Sequence, residues 1–555
     1  MNRFSLDGDW TLTYFPEGAE DVPTPGSLQH LNAPTLPAKV PGNVELDLMR
    51  AGVLPDLFHG DKVHQLRPFE FYEWWYRRRF VPPPYLPSQR LELVFEGLDC
   101  FATIWLNGVE VGRTANMLVP HRFDVTRLIR PHVENELVVR LGSAVNAARR
   151  HSPDPVEGHL PTNWEQLAVR KAPHMYGWDI APRIVSAGIW RPVCLQVRDG
   201  TEILDLYYVT REVSENAATL QIHYHFATDA PTLDGFTLRF SGEGPNGHFS
   251  HECPVHFVSG QTSIRVARPD LWWPKGYGEP HLYRVTCQLC HNGAVAAVRT
   301  DHVGLRTVRL QRTETTGERG GEFRFEVNGV PIFIKGANWV PADALHSRDA
   351  ERYLPALSLF DDLGCNMIRC WGGNVYEDHA FFDFCDAHGI LVWQDFAFAC
   401  ARYPQTPEFL ESVRREAEVV VCRLRNHPSL AVWCGDNECD AAWTWVGLDP
   451  SANRITREVL PQVVQRCDPY RPFIPSSPYY APEAVRRGDP GLLPEQHLWG
   501  PRDYFKSRFY TESTAHFIGE IGYHGCPNVS SLRRFLDQEF LWPWRDNPQW
   551  ITHAT

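Results

Sequence analysis

Two glutamates, Glu438 and Glu520, stand where short apolar runs give way to polar residues, a pattern that can place a carboxylate in an active site. The apolar run 430–433 leads into the polar stretch 435–438, and the stretch 516–522 repeats this arrangement around Glu520. Each pattern predicts a buried parallel strand with polar side chains at its carboxyl end. The sequence between the two glutamates has room for about three βα units.

This pair of carboxylates matches a specific chemistry. In a (β/α)₈ barrel, reactive groups lie at the carboxyl ends of the strands. Retaining glycoside hydrolysis needs two carboxyl groups about 5–5.5 Å apart, one as acid and base and one as nucleophile. Either glutamate alone could also cap a helix or pair with an arginine. Their shared context favours the catalytic interpretation.

Several segments resemble motifs of glycoside hydrolase family 2, and of its β-mannosidase branch in particular. The similarity runs from about Gly8 to the end of the chain. It implies that Glu438, after the fourth barrel strand, is the general acid and base, and that Glu520, after the seventh, is the nucleophile. The segments are WCGDNE (433–438), FIGEIG (517–522), KGANWVPAD (335–343), IRCWGGNVYE (368–377) and ILVWQDFAFACARYP (390–404).

Four further residues are candidates for the site: the resemblance implies roles for Asn437 and Trp371, and positions at strand ends suggest roles for Arg369 and Asp395. Arg369 would hold the nucleophile, although it could instead be a structural ion-pair residue. Asn437 would hydrogen-bond the sugar 2-hydroxyl, which is axial in mannose. Trp371 would form a wall of the subsite for the terminal sugar, and Asp395 would bind a hydroxyl or orient Arg369.

The stretch 170–183 is rich in aromatic and basic residues and has no clear periodicity, and such loops often carry function. It resembles the β-mannosidase loop that reaches over the barrel mouth, where Trp178 and Asp179 match a Trp-Asp pair that contacts the terminal sugar. The family's second Trp is Ile180 here and its Gly is Ala181, a departure that bears on substrate preference. Asp179 could also be an ordinary turn residue.

Other chemically capable residues give weaker signals. Trp445 and Tyr479 could line the mouth of the site or belong to the core. The histidines have no metal-like spacing, and no phosphate loop or dinucleotide fingerprint occurs. We therefore expect neither a metal nor a cofactor.

Bulk composition excludes several classes of protein. The net charge of −13 disfavours a nucleic-acid or anionic-membrane partner. No apolar run reaches transmembrane length, and the first ten residues lack the apolar region of a signal peptide. The fourteen cysteines are scattered through apparent core strands, which predicts reduced thiols and a cytoplasmic protein. A β-mannoside is the expected partner, and a homo-oligomer is left open.

Periodicity predicts a multidomain chain. Residues 1–198 show short alternating strands, with a hairpin signal at Asn107-Gly108, and predict a jelly-roll β-sandwich. The family resemblance implies that this sandwich is the sugar-binding-like domain that opens family 2 enzymes. Residues 199–306 predict an immunoglobulin-like β-sandwich. Residues 307–555 predict a (β/α)₈ barrel with seven recognisable βα units. The missing eighth strand suggests a truncated chain, or a barrel that another polypeptide completes.

Two functions from different classes remain in competition. The first is a retaining, exo-acting β-glycosidase, in particular a β-mannosidase that forms a covalent glycosyl-enzyme; β-galactosidase or exo-β-glucosaminidase specificity stays open. The second is an inactive carbohydrate-binding protein with an incomplete barrel. The intact set of Glu438, Glu520, Arg369 and Asn437 favours an enzyme, because a decayed site should lose some of these residues.

Overall fold

A computed structural model of the chain describes residues 2–159, 164–214, 216–317, 322–500, 504, 506–522 and 525–553. Antiparallel sheets dominate the chain up to Ile332, and parallel strands alternating with helices follow. Within these described ranges, the helices lack the combination of length and apolar character that crossing a bilayer requires.

The amino-terminal part packs two antiparallel sheets around one core. In the strand Gly8–Pro16, Trp10, Leu12 and Tyr14 alternate inward, as a half-buried strand requires. The predicted hairpin is present, with Asn107 and Gly108 at positive φ. One sheet runs in the order Thr35–Val40, Gly8–Pro16, Tyr72–Phe80, Asn135–Leu141, Ala102–Leu106, Val109–Arg113, and the other Asn2–Ser5, Val193–Arg198, Arg90–Phe95, His121–Asp124.

Helical segments connect these strands. The α-helices are Val44–Arg50 and Ala144–Ala148, and the 3₁₀ segments are Pro25–His30, Lys62–Phe71, Trp164–Gln166 and Pro173–Tyr176.

A second antiparallel sandwich follows and has its own core. Phe236, Leu238 and Phe240 point inward from one strand, and Cys287 and Cys290 are buried, free thiols. One sheet contains Thr201–Val213, Ala217–Thr228 and Ser259–Ala267, and the other contains His248–Pro254, Phe236–Glu243, Tyr283–His291 and Ala294–Val303.

A small antiparallel sheet leads from this sandwich into the parallel strands. It consists of Val308–Arg312, Phe323–Val327 and Val330–Ile332. Phe323 stacks on Trp393 at 5.9 Å and contacts Phe517 at 5.0 Å, so this sheet packs against two of the parallel strands.

The parallel strands occur in the predicted chain order. Asn338 Nδ2 of the first strand donates to the Gly519 carbonyl of the last at 3.2 Å, which brings the two ends of the series together. Beyond Ile521, the described residues form helical turns and no further parallel strand. One sheet contains Gly336–Trp339, Met367–Cys370, Leu391–Asp395, Leu430–Cys434 and Phe473–Ile474; Glu495–Leu498 pairs with Phe517–Ile521.

Amphipathic helices alternate with these strands. In Pro407–Leu424, the buried residues include Leu410, Val413, Val420 and Leu424, the stripe that helical periodicity predicts. The α-helices are Asp349–Asp362, His379–His388, Pro407–Leu424, Cys439–Thr444, Leu460–Cys467, Pro482–Arg487, Arg508–Thr511, Val529–Leu532 and Pro548–His553; the π-helical segment is Ile455–Val459, and the 3₁₀ segments are His346–Arg348, Pro450–Ala452, Pro490–Leu492 and Gln538–Phe540.

Polar contacts join the first sandwich to the parallel-strand region. Arg170 and Glu416 form a buried ion pair, with Nη2 and Oε1 2.6 Å apart. The two-residue strand Gly158–His159 pairs antiparallel with Ala401–Arg402. These contacts hold the loop 170–183 beside the carboxyl ends of the parallel strands.

Candidate active site

Glu438 lies immediately beyond the fully buried strand Leu430–Cys434 and before the helix Cys439–Thr444. Its φ of 56° is in the left-handed region, which a non-glycine residue adopts only at some cost, and which is frequent at functional sites. Its backbone amide donates to the Ser477 carbonyl at 2.8 Å, which fixes this turn. The strand therefore delivers the Glu438 side chain in one defined direction.

The side chains of Glu438 and Glu520 share one site. Glu520 lies in the strand Phe517–Ile521, and one of its carboxylate oxygens is within 4.8 Å of a Glu438 oxygen. His497 stands between them, with Nδ1 2.7 Å from Oε1 of Glu438 and 3.2 Å from Oε2 of Glu520. The spacing is close to that of carboxyl pairs in retaining glycosidases, about 5–5.5 Å.

Cationic groups control the charge of Glu520. Burial alone would raise its pKa, but the charge and hydrogen bond of His497, the Arg369 guanidinium and the Trp499 indole hold that pKa at about 2. Conversely, burial would lower the pKa of His497, yet the Glu520 charge and the hydrogen bonds to nearby carboxylates raise it well above its usual value. At neutral pH, Glu520 is thus an ionised carboxylate beside an imidazolium.

Arg369 connects the residues around the two carboxylates. Its Nη1 donates to Oε1 of Glu520 at 3.3 Å and to Asn338 Oδ1 at 3.0 Å. Its Nη2 donates to Asp395 Oδ2 at 2.7 Å and to Asn437 Oδ1 at 2.8 Å. One buried guanidinium therefore fixes the positions of the nucleophile candidate and of the amide beside Glu438.

Asp395 acts on Arg369 and is itself held from several sides. It is buried and accepts hydrogen bonds from Trp393 Nε1 at 2.8 Å and from the Gly372 amide at 3.0 Å. Of the two roles that the sequence left open, its contacts favour orientation of Arg369.

An aromatic wall borders the site on the side of the first sandwich. The Trp178 ring meets Trp371 edge to face at 5.1 Å and His159 at the same distance. Trp371 is buried, whereas Asp179 is exposed in the turn that follows Trp178. The loop 170–183 thus brings its Trp against the Trp of the parallel-strand region.

Trp445 and Tyr479 have other surroundings. Trp445 is 54% exposed and borders a separate cavity of about 420 Å³ together with Tyr480. Tyr479 packs against the guanidinium groups of Arg312 and Arg457, at 4.7 and 5.2 Å, so its ring is held by cations instead of facing the carboxylates. The neighbouring Tyr480 is the tyrosine near the pair: burial raises its pKa to about 12, with the Glu438 charge as the next cause.

The structure adds contacts that sequence reasoning missed. The sequence predicts no role at the site for His497 or for Trp499, whose indole donates to Oε2 of Glu520 at 2.8 Å. Cys400 donates its thiol to Oε2 of Glu438 at 3.3 Å. A usable signal was the position of His497 and Trp499 at the end of the short strand Glu495–Leu498, where side chains that act on a substrate are expected.

Two groups of side chains in the described residues bring together atoms that could ligate a metal. Glu438, His497 and Glu520 offer ligand atoms within 4.8 Å of one another, as do Asp383, Asp386 and His427 in the described residues. In the first group, the 2.7 Å separation of His497 and Glu438 is that of a charge-assisted hydrogen bond. A shared proton accounts for this contact.

Comparison with known proteins identifies two family models along the chain. The model described as "Glycosyl hydrolase 2 galactose-binding domain-like" matches residues 21–191, and "Glycosyl hydrolases family 2" matches residues 201–306. Among curated relatives, β-mannosidase B of Thermothelomyces thermophilus is 32% identical, over 90% of this chain and 60% of its own length. β-Mannosidase B of Aspergillus clavatus is 31% identical, over 97% of this chain and 64% of its own length.

Solved structures give a similar result. The β-D-mannosidase of Dictyoglomus thermophilum has a TM-score of 0.86 and 31% identity, covering 99% of this chain and 66% of its own. The exo-chitosanase of Amycolatopsis orientalis has a TM-score of 0.68 at 18% identity, covering 98% of this chain and 61% of its own, a likeness of fold alone. The chain spans less than two thirds of the length of these relatives.

Proposed function

Because the chain belongs to glycoside hydrolase family 2 and is similar to its β-mannosidases, we propose that it hydrolyses terminal, non-reducing β-D-mannose with retention of configuration. The observation that carries this proposal is the pairing of Glu438 and Glu520, whose carboxylate oxygens approach within 4.8 Å. The Arg369 network supports it, because it supplies a cation to one carboxylate only.

In the first step, a carboxylate oxygen of Glu520 attacks the anomeric carbon while the bond to the leaving oxygen breaks. Glu438 gives its proton to that oxygen, and a covalent glycosyl-enzyme forms. In the second step, Glu438 takes a proton from water, the water oxygen attacks the anomeric carbon, and Glu520 is released. The low pKa of Glu520 suits the nucleophile, because the reacting group must be ionised.

Asn437 is proposed to bind the 2-hydroxyl of the sugar. Its Oδ1 accepts from Arg369 at 2.8 Å, and this fixes the amide so that Nδ2 is the group left to donate. Nδ2 also lies 3.4 Å from Cys400 Sγ, a weak acceptor that leaves the second amide hydrogen for substrate. The 2-hydroxyl contact is worth most in the transition state of glycosidases.

Exo-action is proposed to come from the loop 170–183. Trp178 against Trp371 would close the site behind the terminal sugar, and Asp179 would accept hydrogen bonds from two of its hydroxyls. Trp445, beside Tyr480, would border the leaving-group side. Tyr479 keeps only an indirect role, through its packing on Arg457.

The proposed architecture behind this function is a jelly-roll sandwich over 1–198, an immunoglobulin-like sandwich over 199–306 and a (β/α)₈-type barrel over 307–555, of which seven strands lie within the described residues. Separate cores for the two sandwiches support the first two divisions. The order of the parallel strands, with Glu438 after the fourth and Glu520 in the seventh, supports the barrel.

A different sugar preference is the second candidate. Ile180 stands where the resemblance leads us to expect a tryptophan, and its side chain is 44% exposed beside Asp179. This change bears on which sugar the subsite admits, and β-galactosides or β-glucosaminides are the alternatives. An inactive carbohydrate-binding protein is less well supported, because Arg369 and Trp499 hydrogen-bond Glu520 while His497 and Cys400 contact Glu438.

Partners and location remain proposals as well. A β-mannoside oligosaccharide or glycoside is the proposed substrate, without a nucleic-acid or membrane partner, and a homo-oligomer is compatible with the chain. The fourteen cysteines are all free thiols, which supports a reducing, cytoplasmic setting.

The test is hydrolysis of a panel of nitrophenyl β-glycosides. We expect kcat/KM for the β-mannoside to exceed the values for the gluco, galacto and N-acetylglucosamine analogues. A preference for another sugar would replace the proposed specificity. Absence of turnover on the whole panel, with binding of mannosides intact, would support the binding-protein alternative.

A further inference from the structure

A second polar cavity lies at the opposite end of the strand that leads to Glu438. Its volume is about 240 Å³, and its walls come from the second sandwich and from the turns that follow the helices Pro407–Leu424 and Leu460–Cys467. Leu430, the first residue of the Glu438 strand, contacts two of its wall residues through its carbonyl. The cavity is therefore separate from the carboxylate pair.

The wall of this cavity is strongly cationic. It contains a single carboxylate among the described residues, that of Asp468. This carboxylate already accepts from Tyr207 at 2.7 Å, Trp433 at 2.9 Å and Arg471 at 2.6 Å. The arginines of the wall are Arg211, Arg306, Arg309, Arg425 and Arg471.

Most of this positive charge lacks a carboxylate partner. Arg425 pairs with Asp205 and Arg471 with Asp468, but the other three wall arginines form no ion pair within the described part of the chain. Arg306 donates instead to the carbonyls of Pro428 at 2.9 Å and Leu430 at 2.7 Å. Several guanidinium groups therefore face one space with little negative charge to balance them.

Two further observations point to a missing anion. Arg425 is 8% exposed, and its Nε is buried without a hydrogen-bond partner, a costly state for a donor. Burial, followed by the neighbouring Arg471 charge, lowers the pKa of Arg306 to about 9. A negative group in the cavity would accept a hydrogen bond from Arg425 Nε. The same group would stabilise the charged guanidinium of Arg306 and so raise its pKa.

We propose that this cavity binds a tetrahedral oxyanion, a phosphate group that is either free or carried by a small sugar. Planar guanidinium groups match phosphate oxygens with paired hydrogen bonds, and several of them can share one phosphate. The Tyr470 and Tyr207 rings pack on Arg211 and Arg425, at 4.2 and 4.4 Å, and hold these groups in place. The cavity has room for about eight water molecules at ~30 Å³ each, so a phosphate fits with water or a sugar beside it.

Binding at this site would act on the Glu438 strand through its first residue. Arg306 and Arg471 both donate to the Leu430 carbonyl, and both line the cavity. An anion that orders these arginines stabilises the folded protein by mass action, without entering the reaction. This inference goes beyond the proposed hydrolysis and does not depend on it.

The experiment is calorimetric titration with inorganic phosphate at constant ionic strength, together with thermal unfolding. We expect saturable binding at one site with Kd of about 1 mM or tighter, and a midpoint that rises with phosphate. A parallel titration with a hexose 6-phosphate distinguishes the two sources, since tighter binding would identify a phosphorylated sugar. Both titrations measure binding alone, so their results hold whether or not the protein hydrolyses β-mannosides.

The variants Arg211→Gln and Arg309→Gln test the assignment, because both side chains are exposed at the rim and lack an ion pair. Each should weaken phosphate binding about tenfold, the cost of a charge-assisted hydrogen bond. Arg415→Gln, on a surface helix outside the cavity, is the matched control and should leave Kd unchanged.

Phosphate that binds no better than chloride at equal ionic strength would overturn the proposal. Equal weakening in all three variants would also overturn it, because that result reports net charge alone. Competition between phosphate and a β-mannoside would place the anion at the carboxylate pair and would count against the cavity.

Discussion

The Nδ1 atom of His497 lies 2.7 Å from Oε1 of Glu438, and the same atom is 3.2 Å from Oε2 of Glu520. One imidazolium proton can therefore serve whichever carboxylate is ionised. During the first step, negative charge leaves Glu520 as its bond to the sugar forms, and it develops on Glu438 as the proton departs. His497 is thus placed to stabilise the charge at both ends of this transfer.

His497→Gln is expected to shift the pH profile. Loss of the imidazolium removes the main charge that depresses the pKa of Glu520, so this pKa rises from about 2. The acidic limb of kcat/KM follows ionisation of the nucleophile in the free enzyme and should move to higher pH by about one unit or more. His516 is an exposed histidine immediately before the strand Phe517–Ile521, which contains Glu520. His516→Gln should therefore leave the acidic limb of kcat/KM in place. An unmoved limb in His497→Gln would refute this role.

Glu438→Gln and Glu520→Gln should lose activity in different ways, because each removes a different step of the reaction. Glu438→Gln keeps the first step for substrates with good leaving groups and loses the base for the second, so added azide should restore turnover and yield a β-mannosyl azide. Glu520→Gln should lose turnover of every substrate, with no rescue. Equal and unrescued losses, measured by product release with and without azide, would remove the assignment of acid and nucleophile.

Asp179→Ala should lower kcat/KM with little effect on folding. Two hydrogen bonds that a carboxylate accepts from sugar hydroxyls are worth about 2–4 kcal/mol in the transition state. The side chain is exposed, so the unfolding midpoint should barely change. Asp154→Ala, another exposed aspartate in the same sandwich, is the control and should alter neither quantity. An unchanged kcat/KM in Asp179→Ala would make the loop a linker only.

Glu416→Gln should destabilise the contact between the first sandwich and the parallel-strand region. The substitution leaves Arg170 charged and buried, which costs about 3–5 kcal/mol of unfolding free energy. Glu411→Gln breaks the ion pair of Glu411 with Arg415, in which both side chains are exposed. This loss should lower the free energy of unfolding by less than about 1 kcal/mol. Chemical unfolding of both variants gives the comparison. Similar shifts would show that the Arg170 pair adds nothing beyond a surface contact.

The sequence predicted those site residues that follow strong apolar runs. Glu438, Asn437 and Asp395 come at or just after buried strands, and the structure brings them to one site with Arg369 and Glu520. The family resemblance supplied the roles, which periodicity alone could not give. The seven predicted βα units also imply helices between the strands, and the helix Asp349–Asp362 is one of those observed.

The sequence pattern did not predict the contacts that residues in irregular loops make with the site. Cys400, which contacts Glu438, lies in a loop and has a φ of 46°. The spacing of hydrophobic residues does not predict such a backbone conformation. Tyr479 and Tyr480 are adjacent and point to different neighbours, so the sequence could not say which one stands near Glu438. Tertiary packing decides these positions.

In the proposed mechanism, Glu520 forms a covalent bond to the sugar. The most direct measurement is incubation with 2-deoxy-2-fluoro-β-D-mannosyl fluoride, followed by mass spectrometry of the intact protein and of its peptides. We expect one added fluoromannosyl group per chain, located on the peptide that contains Glu520, with activity lost at the same rate as label is gained. A label on any other residue, or turnover of the reagent with no covalent species, would contradict it.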